Sequence, residues 1–199
     1  MYNCFIFNIF RLLVTIHYYQ YFFMLNSRNN FLKLNSIFLF LFMSFFTSSV
    51  YAQERFGDKC IGKWEGTMYI YGKGQLRDSV LVELDVQKTN QPNIWSWKTS
   101  YLSKTMPMVK DYKLVLKDST TQTYATDENN GIELMNYYFN NKLYSVFETH
   151  GVMLTSSYEL KDNQLIFEVS SGKKIEGNNE VVNYSVINLQ KVVFNRVKY

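Results

Sequence analysis

The sequence predicts an all-β fold: a single antiparallel, up-and-down β-barrel of about 8–10 strands, preceded by a signal peptide. Beyond residue 61, short segments with alternating apolar and polar residues follow one another, with turn residues between them. No stretch there has a convincing helical pattern. Parallel strands need crossover connections of roughly a dozen residues, and most of these links are shorter. Closing such a meander into a barrel removes its exposed edges.

Composition divides the chain at residue 52. Of the 16 Phe residues among the 199 residues, most precede this point, whereas all 3 Trp residues follow it. We therefore predict a folded domain over residues 53–199, which is long enough for one hydrophobic core.

Residues 24–52 have the pattern of a secretory signal peptide. Arg28 and Lys33 precede an apolar run over residues 37–46, and small residues lead to Ala52. Cleavage is predicted before Gln53. The alternative is a transmembrane anchor, but the apolar run is short for a span of about 20 residues.

Residues 1–23 are predicted to be a mis-started or extra hydrophobic leader, because Met24 is a suitable start of the signal peptide. The expected product is an exported protein, periplasmic or extracellular, with membrane contact only through an uncleaved leader. The sequence does not choose between these two compartments and predicts no oligomeric state.

The domain that follows the leader is almost neutral. The formal charge of the whole chain is +4, but Arg11, Arg28 and Lys33 lie in the leader and no acidic residue does. A near-neutral domain lacks the excess of positive charge that attracts DNA or RNA, so no nucleic-acid partner is predicted. Cys60 is the only cysteine after the leader, so an internal disulfide is excluded.

The predicted strands follow from residue 62 in order. The first covers residues 62–71 and ends at a Gly72-Lys73-Gly74 turn. A polar loop is predicted over residues 171–180, between the last two strands. The remaining strands are predicted over residues 80–86, 94–102, 112–116, 121–126, 132–139, 142–149, 152–160, 164–170 and 181–197.

The first strand opens with Gly62-Lys63-Trp64, which resembles the Gly-x-Trp motif of lipocalins and the wider calycin group. The resemblance implies that Gly62 and Trp64 close one end of the barrel, with Arg196 or Lys191 packed over the indole ring. The Thr-Asp-Tyr motif of true lipocalins is absent. The link after the first strand is too short for the helical lid of fatty-acid-binding proteins. The resemblance therefore implies a fold but no inherited ligand.

The segment Trp64-Glu65-Gly66 is also similar to the opening of haem-binding, nitrobindin-type barrels. Haem would need a histidine ligand, and His150 is the only histidine in the domain. It precedes Gly151, where an ordinary turn residue is expected. No cofactor, no metal site and no catalytic triad are predicted, since one histidine and one cysteine supply too few ligands or catalytic groups.

Aromatic residues provide the candidate binding site. Tyr and Trp combine an apolar ring with a polar tip, which suits an amphipathic ligand, and a barrel of this size can enclose a small molecule. We predict that the domain binds a small apolar or amphipathic molecule. The predicted ligand-binding residues are Trp95, Trp97, Tyr101, Tyr112, Tyr124, Tyr144 and Glu148.

Two alternatives are open at this point. The rings can instead fill the barrel, leaving a non-catalytic module whose outer face meets protein or glycan. The second alternative is a carboxylate-based enzyme, because Phe147-Glu148 and Phe167-Glu168 repeat one pattern. Neighbouring residues of a strand face opposite ways. Inward carboxylates could act as an acid/base pair, whereas inward Phe rings would leave both carboxylates in solvent.

Overall fold

Eleven β-strands and one short helix form the described part of the chain, residues 54–177 and 180–198 of a computed structural model. The leader segments predicted over residues 1–23 and 24–52, with the cleavage site before Gln53, lie outside the described residues. No helix within the described ranges is long and apolar enough to cross a bilayer. The elements are α1 (Phe56–Lys59), β1 (Gly62–Gly72), β2 (Gln75–Lys88), β3 (Ile94–Tyr101), β4 (Met108–Asp118), β5 (Thr123–Asp127), β6 (Glu133–Phe139), β7 (Lys142–Thr149), β8 (Val152–Lys161), β9 (Gln164–Ile175), β10 (Asn183–Tyr184) and β11 (Asn188–Arg196).

Ten of the described strands close into a barrel. Each strand from β1 to β8 pairs antiparallel with the next one along the chain. Strand β9 then pairs with β11, and β11 pairs back with β1. The remaining strand, β10, adds two residues against the end of β9. The prediction of an all-β, antiparallel, closed barrel is therefore confirmed, with ten strands in the ring.

Tight two-residue turns set the register of several hairpins. Asn140 and Asn141 have φ angles of 45° and 62°, and Asp162 and Asn163 have 48° and 64°. Positive φ at both central residues is the mark of the turn whose twist matches that of paired strands. His150 adopts φ 50° in such a turn before Gly151, so the expectation that it is a turn residue is confirmed.

The links between strands lie alternately at the two ends of the barrel. At one end, Arg55 Nη1 donates to Asn93 Oδ1 at 2.6 Å, and Lys59 Nζ donates to Asn141 Oδ1 at 2.8 Å. These bonds tie both ends of α1 to the β2–β3 and β6–β7 links, so the helix lies across this end, which we call the closed end. The links after β1, β3, β5, β7 and β9 lie at the other end, the open end.

The helix α1 was not predicted. Four residues are too few to show helical periodicity, and so short a helix depends on tertiary contacts. Phe56 is fully buried, and a Cβ on Gly57 would lie 2.3 Å from the Trp95 ring. Glycine therefore lets the helix pack directly onto the indole. Asp58 accepts from Arg55 Nε at 2.7 Å, which adds a local ion pair.

Two strand boundaries near the C-terminus also differ from the prediction. Strand β9 continues to Ile175, so the first half of the predicted polar loop over residues 171–180 is strand. The predicted last strand over residues 181–197 is two strands, β10 and β11, separated at residues 185–187. Pairing partners supplied by β8 and β10 extend β9 through residues whose polar character alone favours a loop.

Candidate functional site

The closed end is sealed by Trp64 and Arg196. The Trp64 indole is fully buried and donates from Nε1 to the Cys60 carbonyl at 2.8 Å. Arg196 Cζ lies 4.2 Å from the centre of the indole ring, and its guanidinium donates to the carbonyls of Ile61 and Lys59. Of the two basic residues considered, it is Arg196 that lies over the ring.

Gly62 makes room for this arrangement. It has φ 132°, and a Cβ there would lie 2.8 Å from Arg196 Nη1. Any other residue would be strained in this backbone conformation and would displace the guanidinium. Gly62, Trp64 and Arg196 therefore form one contact cluster in this protein.

Ion pairs and hydrogen bonds hold the helix α1 over the closed end. Asp58 Oδ1 accepts from Trp95 Nε1 at 3.1 Å and lies 3.5 Å from Lys88 Nζ. Burial opposes ionisation of Asp58, but its hydrogen bonds with Arg55 and Trp95 and the nearby cations outweigh burial and lower its pKa. The backbone N–H of Phe56 donates to the Tyr124 hydroxyl at 3.1 Å. Trp95 and Tyr124 thus form the packed floor of the barrel.

Above this floor, the interior has a polar side and an apolar side. The strands β3 to β8 direct polar groups inward at mid-height, whereas β9, β11, β1 and β2 direct apolar side chains inward at the same level. The polar side chains are those of Trp97, Thr99, Tyr112, Thr126, Asn136, Ser145 and Tyr158. The apolar side chains are those of Phe167, Val192, Met68 and Val82.

Two polar atoms on the polar side lack a hydrogen bond of good geometry in the described part of the chain, although the Trp97 N–H lies close enough to the Tyr158 hydroxyl to oppose the rise in its pKa. They are Ser145 Oγ and Trp97 Nε1, and each residue is only 2% exposed. The Asn136 amide, in contrast, donates to Thr126 Oγ1 at 3.0 Å and to the Leu134 carbonyl at 2.8 Å. Leaving a buried polar group without a partner costs about 1–3 kcal/mol. Most such groups in folded proteins are paired, so Ser145 Oγ marks a place for another polar group.

The open half of the interior is not packed. Most inward positions near the floor are fully buried, with Tyr138 and Leu160 partly buried, whereas those towards the open end are all only partly buried, although strands surround them. Solvent therefore reaches the inward side chains of this half from the open end. The partly buried inward residues are Ile70, Val80, Tyr101, Lys110, Leu134, Phe147, Leu154, Ser156, Val169 and Gln190.

Three tyrosine hydroxyls come together in this half. Burial raises the pKa of Tyr101 and of Tyr158. Burial, together with the Glu128 carboxylate beside it, raises the pKa of Tyr112 to about 12. The Tyr158 ring packs edge-on to Trp97 at 5.2 Å between ring centres and lies 4.5 Å from Phe167. Burial therefore disfavours the charged form of all three hydroxyls, and the Tyr112 hydroxyl donates to Glu128.

Comparisons with known proteins give fold-level likenesses only. No protein-family model matches the sequence, and no curated protein matches it. The crystal structure of the wild-type fluorescent protein UnaG is 14% identical, covers 70% of this chain and 98% of its own, and has a TM-score of 0.41. Rv2717c from M. tuberculosis is 12% identical, covers 69% of this chain and 92% of its own, and has a TM-score of 0.42. These values say nothing about a ligand or an activity.

The barrel's own architecture identifies its type. Ten antiparallel strands close as a meander, the first strand carries Gly62 and Trp64 at the closed end, and Arg196 from the last strand covers the indole. The chain forms a lipocalin-like barrel of the calycin type. This confirms the resemblance seen in the sequence.

The lipocalin-like barrel brings some of the predicted ligand-binding residues together and separates others. Tyr101 and Tyr112 face the open half of the interior, whereas Trp97 is buried below it with its ring 6.3 Å from that of Phe56, and Trp95 and Tyr124 lie in the floor. Tyr144 and Glu148 lie on the outer face of β7, because Leu143, Ser145 and Phe147 occupy its inward positions. A molecule held inside the barrel would not contact Tyr144 or Glu148.

The carboxylates considered for acid/base chemistry do not share the interior. Phe147 and Phe167 are the inward members of the two repeated pairs, so Glu148 and Glu168 face outward. Glu168 forms an ion pair with Lys191 at 3.1 Å on the outer wall. Within the described ranges, no group of three or more His, Cys, Asp or Glu residues is placed to hold a metal ion.

Several interior polar residues were missed by the sequence reasoning, namely Ser145, Tyr158, Asn136 and Thr99. A signal for Ser145 was present, because it alternates with Leu143 and Phe147 on one face of a predicted strand. Small polar residues on an otherwise apolar strand face are a usable sign of a polar interior.

Proposed function

We propose that the barrel binds a small apolar or amphipathic molecule in the open half of its interior. The observation that carries this proposal is the contrast between the two ends. Most inward side chains at the closed end are fully buried, while the inward side chains of the open half are surrounded by strands and all still partly exposed. Space of this kind, lined by apolar groups with a few polar ones, is typical of small-molecule sites.

The wall chemistry favours an amphipathic ligand over a purely apolar one. Phe167, Val192 and Met68 offer one apolar wall, and the tyrosine hydroxyls lie on the opposite wall. Exposed apolar side chains on the links at the open end, including Leu102, Met106, Ile132 and Val186, extend this apolar surface outward from the interior.

Native mass spectrometry of protein produced from the full chain, before and after organic extraction, tests the proposal directly. We expect a co-purified small molecule whose mass disappears on extraction. The extracted protein should then enhance the fluorescence of N-phenylnaphthylamine, a neutral apolar probe whose fluorescence increases when it moves from water into an apolar environment.

A matched pair of variants locates the site. Ser156 faces inward on β8 and its neighbour Ser157 faces outward. We expect Ser156→Phe to fill the open half and weaken probe binding at least about tenfold, while Ser157→Phe leaves binding unchanged. Equal binding by both variants, each folded as judged by circular dichroism, would reject an interior site.

We further propose that the protein is exported, with cleavage before Gln53. The support is the pattern of residues 24–52. Expression in a bacterial host, followed by intact-mass measurement of the exported fraction, should show a chain that begins at Gln53. An uncleaved chain held in the membrane fraction would indicate an anchor instead.

A second candidate function rests on an aromatic patch on the outer wall, which we call the outer stripe. It consists of Met135, Tyr137 and Phe139 on β6 with Tyr144 and Val146 on β7. The Tyr137 and Tyr144 positions are directly paired, and the Phe139 and Tyr144 ring centres are 6.2 Å apart.

Contiguous exposed apolar surface often marks an interaction site, so the outer stripe favours a module that meets protein or glycan. If this candidate is correct, Phe139→Ser should lose retention on a glycan array, while the exposed Tyr69→Ser control on β1 keeps it. Equal retention of the two variants would exclude the outer stripe as a glycan site.

A further inference from the structure

The unpartnered polar atoms in the barrel indicate which end of a ligand enters first. Ser145 Oγ and Trp97 Nε1 are buried and lack well-formed hydrogen bonds in the part of the chain that the structure describes, and of the two only Trp97 Nε1 contacts another polar group, the Tyr158 hydroxyl. Both lie on inward positions, below the partly exposed walls of the open half. A polar group delivered to this depth would satisfy atoms that the protein leaves unsatisfied.

The two atoms belong to one neighbourhood, with Tyr158 between them. The Tyr158 ring contacts Trp97 edge-on, at 5.2 Å between ring centres. Tyr158 is paired with Leu143, and Ser145 is paired with Ser156, so Ser145 and Tyr158 are diagonal neighbours on the inner face of β7 and β8. Diagonal neighbours on one face are about 7–8 Å apart. Tyr158 therefore lies next to both Trp97 and Ser145.

The charge at this depth is also informative. Among the described inward residues of the mid-height layer, none is a lysine or an arginine. Lys110 lies one inward position closer to the open end, with Nζ 5.9 Å from the centre of the Tyr112 ring. Burial raises the pKa of Tyr158 and Tyr101, which shows that this environment opposes negative charge. A carboxylate placed here would lose its hydration without gaining a cation.

We propose that the ligand enters polar end first and that an uncharged oxygen, such as a ketone or amide carbonyl, accepts a hydrogen bond from Ser145 Oγ beside Tyr158. This inference rests on the proposed interior site and specifies its ligand class as neutral amphipaths rather than fatty acids. The serine hydroxyl can donate, and a carbonyl oxygen supplies the acceptor. The hydrocarbon part then lies along Phe167, Val192 and the open half.

A set of three compounds with equal carbon number tests the ligand class. They are a long-chain methyl ketone, the corresponding fatty acid and the corresponding alkane, each measured by displacement of N-phenylnaphthylamine from the extracted protein. We expect the ketone to bind about tenfold more tightly than either of the others, the size of one net hydrogen bond. Tighter binding of the fatty acid would overturn the proposal.

A matched pair of variants tests the contact itself. Ser145→Ala should weaken ketone binding about tenfold and leave alkane binding unchanged, while the melting temperature stays equal or rises because an unpaired buried hydroxyl is removed. Ser157→Ala, on the outer face of the adjacent strand, should change none of these. A Ser145→Ala protein with unchanged ketone affinity would overturn the proposal.

Probe binding separates this inference from the proposed function. If the probe binds but the three compounds bind equally, the polar-end-first orientation is wrong and the interior site stands. If the probe itself fails to bind the extracted protein, the interior site and this inference are both wrong.

Discussion

Replacing Trp64 with alanine is expected to destabilise the barrel by about 3–5 kcal/mol, the usual cost of removing a large buried ring. The indole is fully buried, donates to the Cys60 carbonyl and supports the Arg196 guanidinium. Its loss leaves a cavity at the closed end and an unsatisfied carbonyl. Because small domains have only about 5–15 kcal/mol of stability, the variant should be close to unfolding at room temperature.

Urea denaturation followed by far-ultraviolet circular dichroism measures this effect. Phe139→Ala is the matched control, since this ring is 64% exposed on the outer wall and its loss should cost less than about 0.5 kcal/mol. Trp64→Phe should lie between wild type and Trp64→Ala. If Trp64→Ala loses no more free energy of unfolding than Phe139→Ala, the closed end does not hold the barrel together as described.

Replacing Arg196 with alanine should cost about 2–4 kcal/mol. The guanidinium is the hydrogen-bond donor to the Ile61 and Lys59 carbonyls and lies over the Trp64 ring. A hydrogen bond to a charged group contributes about 1.5–3 kcal/mol, and a cation over an aromatic face adds about 0.5–2 kcal/mol. In a chain of this length, about 1 kcal/mol corresponds to a shift of 2–4 °C in melting temperature, so a fall of roughly 5–15 °C is expected.

Two further variants separate geometry from charge. Arg77 also donates to a carbonyl, that of Gly72 at 3.3 Å, but it is exposed; Arg77→Ala should therefore change the melting temperature little. Arg196→Lys keeps the charge but lacks the planar fork of donors, and should recover only part of the loss. Full recovery by lysine would show that charge alone, and not the paired carbonyl contacts, stabilises this end.

Much of the fold could be predicted because its signals are local. Turn residues such as Asn140-Asn141 and Asp162-Asn163 fix where strands end, since few other residues accept positive φ at both central positions. Short links between alternating segments require antiparallel neighbours. The helix α1 escaped prediction because Phe56 and Gly57 adopt it only against Trp95, which lies far along the chain.

The candidate site was predicted only in part. Trp97, Tyr101 and Tyr112 were placed in the interior from their shared strand faces, and the structure places them there. Tyr144 was assigned to the interior by its residue type, yet it is exposed on the outer wall. Tyrosine suits either environment, because it has an apolar ring and a polar tip, so residue type could not decide which way it faces.

The sequence by itself determined the strands, the meander and the residues that close one end. Strand alternation and turn chemistry depend on residues that are adjacent in the chain, and Gly62, Trp64 and Arg196 can each be recognised individually. Only the tertiary structure decided which face of each strand turns inward, since a one-residue change of register exchanges the two faces of a strand. That choice puts Glu148 and Tyr144 outside and Ser145 inside. It also places Tyr158 against Trp97 and diagonally next to Ser145, and the contact with Trp97 depends on closure of the barrel.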